Sequence, residues 1–188
     1  MTNQNSSDSV RTRLEQAALE LFRERGYDRT TAAGIAARVG VTERTFFRYF
    51  PDKRETLFSG EAFLGPALAQ AVAEAPDGPG PLEALWHAFR TLVPALEANR
   101  SFAEPRQAVV SSTPALRERE LAKHEVLADA LAAALQARGV AEQPAILAAR
   151  AGMAAFTQVT VAWLNEPEPG LVDRLDGALR DFRALLDR

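Results

Sequence analysis

Arg44, Thr45 and Arg48 fall on one side of a short helix when residues 43–50 are set on a wheel at about 100° per residue, and Phe46 and Phe50 fall together on the other. An exposed Arg/Thr/Arg face suits the reading of a nucleic acid, because an arginine fork pairs with guanine O6 and N7. Phe47 lies between the two faces. The same three residues would serve equally as the solvated outer surface of a packed helix, and the wheel alone leaves both readings open. Charge adds a second signal. The 188-residue chain carries a net charge of −3, but its first 58 residues hold ten basic groups against eight acidic ones. From Arg29 to Arg54 the balance is six basic to two acidic, whereas the remaining 130 residues hold 12 basic and 17 acidic groups. A basic stretch joined to an acidic body suggests one face for a polyanion and another part for a different task.

Other chemistries find little support. There is no cysteine, which excludes thiolate metal sites, disulfides and a cysteine nucleophile. His87 and His124 are the two histidines, too few for a multi-histidine metal site. No nucleophile elbow, zinc-protease, P-loop or dinucleotide fingerprint occurs. The carboxylates Glu118 and Glu120 lie on a charged helix, where a solvated face is the simpler account. The chain is therefore expected not to be an enzyme, and to hold no metal and no cofactor. No uninterrupted apolar run approaches the roughly 20 residues needed to cross a bilayer. Residues 1–9 are polar and contain no signal-peptide core, so a cytoplasmic protein without a membrane partner is expected.

Helices must position these residues. Alanine and leucine dominate, and no stretch alternates with the period of a strand, so the fold class is all-α. Residues 1–9 read as a flexible arm. Leu14, Ala17, Ala18, Leu21 and Phe22 set the inner face of a first helix that ends near Arg25, with Gly26 as its left-handed terminator and Tyr27 placed to touch Phe22. Thr30 or Thr31 caps a second helix bounded by Gly40. Thr42 caps the third, which ends at Phe50 before Pro51. Asp52 and Glu55 have capping-box spacing and should open a fourth helix reaching Ala75, bent or interrupted at Gly60 and Gly65-Pro66. Five more helices are expected over 82–99, 102–110, 114–138, 144–165 and 170–187. Pro94 should kink the first of these.

The acidic body is expected to sense and to pair. Broken helices leave gaps, and a mostly apolar pocket lined by Trp86, Phe89, Val93, Leu96, Phe102, Leu127, Met153 and Phe156 is one outcome; plain core packing is the other. Ala151 and Ala155 give the penultimate helix a small-residue surface. Leu175, Leu179 and Phe182 give the last helix an apolar stripe. Together they are expected at a dimer interface, with the stripe packing in part on its own chain.

The segment Gly26 to Leu57 closely resembles the N-terminal domain of TetR-type bacterial transcriptional regulators. The resemblance rests on Gly26-Tyr27, Thr31 with Ile35-Ala36, Gly40-Val41-Thr42, Tyr49-Phe50-Pro51-Asp52-Lys53 and Leu57. It covers roughly residues 10–58. It implies a helix-turn-helix DNA-binding domain over 10–52 and a helical ligand-sensing and dimerisation domain over 53–188. By position, Thr31, Thr42 and Lys53 match phosphate contacts, with Lys53 at the start of the fourth helix. Glu43, Arg44, Thr45 and Arg48 match base-facing positions, and Tyr49 matches a position beside the backbone. Where the family most often has a phosphate-binding tyrosine, this chain has Phe47, which can offer only van der Waals contact, with sugar or with a thymine methyl. The implied function is a ligand-responsive regulator, a repressor released from its operator by a small apolar or amphipathic effector. The alternative is a helical interaction module without sequence-specific DNA binding. The implied partners are double-stranded operator DNA, a second copy of the chain and an effector. The stretch 114–121 faintly resembles regulators with acyl-CoA-like ligand domains.

Overall fold

The computed structural model describes residues 2–78 and 80–186, and the described residues form nine α-helices and one short 3₁₀ turn, with no strand. In order these are α1 (Thr2–Arg25), α2 (Ala32–Val39), α3 (Glu43–Tyr49), the 3₁₀ turn (Arg54–Leu57), α4 (Glu61–Ala73), α5 (Pro81–Ala98), α6 (Arg100–Ser112), α7 (Pro114–Ala137), α8 (Glu142–Asn165) and α9 (Leu171–Leu186). The expected flexible arm is helical from Thr2 onward. A helix already nucleated around Leu14 gains one hydrogen bond for each residue added, and this stretch holds neither proline nor glycine to stop it.

Two compact units form, one from residues 2–59 with 105–117 and one from 60–104 with 118–186. In the first, α1 packs on α2, and α2 packs on α3. Leu14, Leu21, Phe22, Ile35, Phe46 and Phe50 make its core, and each is buried. Tyr27 meets Phe22 with ring centroids 5.2 Å apart, the contact expected at the end of α1. Gly40 adopts φ +76°, and its N–H closes on the last carbonyls of α2, so the chain reverses there with a conformation that a side chain would strain. Residues 105–117 join this unit through buried Val109, Val110 and Leu116. Arg106 fixes them further: its Nε donates to the Leu57 carbonyl at 2.6 Å, and its guanidinium lies 4.8 Å from the Phe58 ring centroid.

The fourth helix expected over 52–75 is interrupted at Gly60, one of the two outcomes expected there, and continues through Gly65-Pro66. Asp52 Oδ1 accepts the N–H groups of Arg54 at 2.7 Å and Glu55 at 3.1 Å, as the capping spacing requires. Only one 3₁₀ turn follows before α4 starts at Glu61. Leu57 and Phe58 turn inward and are buried, the Thr56 hydroxyl bonds back to the Lys53 carbonyl at 2.7 Å, and Ser59 donates to the Glu15 carboxylate at 2.6 Å. These side-chain bonds compete with helix propagation, and Gly60 supplies no propensity to oppose them.

In the second unit α5 packs on α4, α8 and α9, and α8 packs on α9. Trp86 is buried, and its indole N–H donates to the Leu175 carbonyl at 2.7 Å, which satisfies the one polar atom that the ring brings inside. Phe89 stacks on Phe156 with centroids 4.4 Å apart. Gly152 permits close approach of α8 to α5: a Cβ there would stand 2.9 Å from Leu85 Cδ1. Pro94 and Pro105 lie inside α5 and α6 without ending them. Among the described residues α8 is long and apolar enough to cross a membrane by composition, yet it buries Ala145, Ala149, Gly152, Met153 and Phe156 in this core.

Candidate nucleic-acid interface

Thr31 and Thr42 set the entry of the two helices. The Thr31 hydroxyl accepts the Gly34 N–H at 3.0 Å. The Thr42 hydroxyl accepts the Thr45 N–H at 3.2 Å and lies 3.0 Å from the Thr45 hydroxyl. Both caps hold donors that would otherwise lack a partner at a helix start. On α3, Phe46 is buried and anchors the helix, while Glu43, Arg44, Phe47 and Arg48 are exposed. The exposed face consists of two i,i+4 rows, Glu43 with Phe47 and Arg44 with Arg48. Phe47 is 52% exposed and stands within this outer face rather than between faces. Thr45, expected on the solvent side, is half-buried, as is Tyr49.

Partners sort the cations. Arg38 is spent on α1, where it meets Glu24 at 2.7 Å and Glu20 at 3.6 Å. Its hydrogen bond holds the Glu24 carboxyl below the usual carboxylate range. Arg54 pairs with Asp52 at 3.2 Å. Arg29 donates to the Arg25 carbonyl at 2.7 Å. Arg48 donates to the Tyr49 hydroxyl at 3.0 Å, with its guanidinium 4.9 Å from that ring. Arg44 makes no hydrogen bond or ion pair among the described residues. The basic balance of 29–54 thus reduces to an outward-facing pair on α3. Thr42, Arg44, Thr45, Phe47 and Arg48 together border a shallow depression on the surface.

Lys53 is placed differently from the expectation. No α-helix begins there. Its ammonium donates to the carbonyls of Tyr27 at 2.7 Å and Thr30 at 2.8 Å and lies 4.1 Å from the Tyr27 ring centroid. Two of its three N–H donors therefore brace the turn between α1 and α2. Burial raises the Tyr27 phenol above its ordinary pKa, so the ring that Lys53 covers stays neutral.

Most of the residues expected to line an effector pocket sit in the core of the second unit. Trp86, Phe89, Val93, Met153 and Phe156 are buried against one another, Leu96 packs half-buried at the edge of the same core, and Phe102 is half-buried. Helices α5 and α6 run through their prolines. A cleft of about 530 Å³ lies between α4 and α7, lined by Gly65, Pro66, Ala69, Lys123, Val126, Leu127, Ala130, Ala133 and Ala134. Leu127 is the one member shared with the expected set. Small side chains make the space, and the signal was present in the alanines of α7 facing Gly65-Pro66.

At the expected pairing surface, Leu175 is fully buried in its own chain and cannot face a partner. Phe182 packs on Trp86 with centroids 5.9 Å apart, and Leu179 is half-buried against the same core. An amphipathic helix places its most periodic apolar stripe on the nearest core, which here is its own. Ala151 and Ala155 are half-buried, on the same face of α8 as exposed Leu147 and Ala154, and Val172 on α9 is exposed.

The profile of the family described as bacterial regulatory proteins, tetR family, matches residues 15–58, the stretch that builds α2, α3 and the braces around them. A structure of Thermus thermophilus FadR, described as a TetR-family transcriptional repressor in complex with lauroyl-CoA, is 30% identical, covers 90% of this chain and 91% of its own, and superposes with a TM-score of 0.59. The chain belongs to the TetR family. The relative TcmR, an HTH-type transcriptional regulator of Streptomyces glaucescens, is 39% identical over 84 residues, 45% of this chain but only 37% of TcmR. The SmeT–triclosan complex shares the fold, with 24% identity, coverage of 92% and 91%, and a TM-score of 0.62. Under the TetR fold the first unit supplies the helix-turn-helix and the second the helical bundle.

Proposed function

We propose that this TetR-family chain is a ligand-responsive DNA-binding transcriptional regulator that acts in the cytoplasm as a homodimer and not as an enzyme. One observation carries the reading. A capped, core-anchored α3 presents Arg44 and Arg48 outward, and Arg44 is left without a partner of its own. Solvated arginines are ordinary on a surface, but here they stand on the second helix of a helix-turn-helix, the element that enters the major groove. The exposed positions Glu43, Arg44, Phe47 and Arg48 face the bases, and the capping threonines Thr31 and Thr42 face phosphate. Thr45 and Tyr49 flank them.

A single short helix binds weakly, so two copies are required, with their reading helices about 34–36 Å apart for half-sites one turn apart. The face of α8 around Leu147, Ala151, Ala154 and Ala155, with exposed Val172 on the adjoining helix α9, supports pairing in a four-helix arrangement. The α4–α7 cleft supports an effector site, since its volume and apolar lining suit a small organic ligand. FadR is described with lauroyl-CoA and SmeT with triclosan, which fits an apolar or amphipathic effector and a repressor that it releases. By linkage, an effector that loosens DNA must itself bind more weakly to the DNA complex, by the same factor.

The test is a salt-titrated binding assay of the full chain on its own upstream DNA, with scrambled DNA as control. Preferential binding with a steep salt dependence supports the reading. Equal affinity for both duplexes removes it, in favour of a helical interaction module.

A further inference from the structure

The exposed face of α3 holds one group with no obvious use. Phe47 presents an aromatic ring that is 52% exposed, between Glu43 and Arg44 on the helix wheel. The ring is positioned: it meets buried Phe46 edge-on, with centroids 5.4 Å apart and planes at 90°. It forms the large apolar wall of the depression that Thr42, Arg44, Thr45 and Arg48 otherwise border with polar groups. Arg48 bonds to Tyr49, and this leaves the face of Phe47 uncovered on that side.

Resting on the DNA-binding reading above, we infer that Phe47 reads the 5-methyl group of a thymine, and so sets base preference at one position of each half-site. The argument is one of chemical type. Phenylalanine offers neither donor nor acceptor, so it cannot satisfy a phosphate oxygen, and a charged oxygen pressed against it would lose hydration without compensation. Of the groups displayed in the major groove, the thymine methyl is the apolar one. Deoxyribose edges are the other apolar surface, but they line the walls of the groove, whereas a ring at the middle of the reading face meets base edges, where the methyl is the group it can cover. Its neighbours do the complementary work, with Arg44 and Arg48 suited to guanine and Glu43 suited to the amino group of cytosine.

The size of the effect follows from one methyl group removed from water, which corresponds to about a fourfold change in affinity per half-site and roughly 15-fold for a symmetric pair. The experiment uses duplexes selected by the full-length protein from a random-sequence pool, then resynthesised with uracil in place of each thymine in turn. Uracil keeps every hydrogen-bonding group and removes only the methyl. The expected result is one thymine per half-site at which uracil costs about fourfold, with that cost abolished in Phe47→Ala and retained in Phe47→Leu. Circular dichroism checks that both variants keep their helix content, and the uracil scan on the unmodified protein stands whether or not they do. Tolerance of uracil at every position overturns the inference while leaving DNA binding intact. So does an undiminished uracil cost in a folded Phe47→Ala. Failure of the pool to yield any preferred sequence overturns the DNA reading itself and this inference with it.

Discussion

Replacing Lys53 by alanine tests whether this residue braces the fold or mainly holds DNA. Its ammonium makes two hydrogen bonds to carbonyls, at 2.7 and 2.8 Å, and covers the Tyr27 ring at 4.1 Å. Hydrogen bonds to a charged group contribute about 1.5–3 kcal/mol each where buried, and an exposed cation–π contact about 0.5–1 kcal/mol. Lys53 is half-buried, and water can replace it at both carbonyls, so the low end applies and the contacts partly overlap. The net loss should be about 2 kcal/mol. For a chain of this size that lowers Tm by about 4–8 °C. Thermal unfolding followed by far-ultraviolet circular dichroism measures it. Tryptophan fluorescence is the poorer probe, because Trp86 and Trp163 both lie outside the unit that contains Lys53. DNA affinity should be measured well below the variant's transition, with specific and scrambled duplexes and a salt titration. An unchanged Tm, together with an equal loss on both duplexes and a salt slope flatter by about one unit, would refute the brace and make Lys53 a phosphate ligand.

Arg44→Ala should cost about 1–3 kcal/mol on the preferred duplex and relax base preference at one position; equal losses on scrambled DNA would defeat base reading. Ala154→Glu places a charge on the exposed face of α8 and should give a folded monomer with weakened operator binding, read by sedimentation; an unmodified protein that is monomeric at micromolar concentration would contradict pairing. The Arg183 hydrogen bond, at 2.8 Å, holds the Glu83 carboxyl below its ordinary value. Because the folded value is the lower one, this pair stabilises above pH 4.5, and the contribution fades as the pH falls below it. Glu83→Gln should remove that increment, under about 1 kcal/mol for so exposed a pair, and the difference from the unmodified protein should vanish in acid.

Much of the local architecture was legible in residue order. Proline and glycine punctuate the chain, threonines cap α2 and α3, and apolar spacing marks the helices, so boundaries such as Pro114 and the stop before Gly139 follow from backbone chemistry that acts over a few residues. The outward arginines of α3 were legible for the same reason, since Phe46 and Phe50 orient that helix by period alone. What lay beyond reach depended on partners far apart in the chain. Whether Lys53 faces solvent or the carbonyls of Tyr27 and Thr30 depends on where α1 ends in space. Whether Leu175 faces a second copy or the core depends on Trp86, 89 residues away, whose N–H meets its carbonyl. A stripe pattern states that a face is buried without naming what buries it. Likewise, α5 continues through Pro94 while packing on α4, α8 and α9, and a cleft lies where alanines of α7 meet Gly65 and Pro66. Residue order determined the helices and the polar outward face of α3. Tertiary packing decided which cations on α3 remain outward, where the cleft between α4 and α7 forms and which apolar residues stay exposed, because those outcomes depend on which distant surfaces meet.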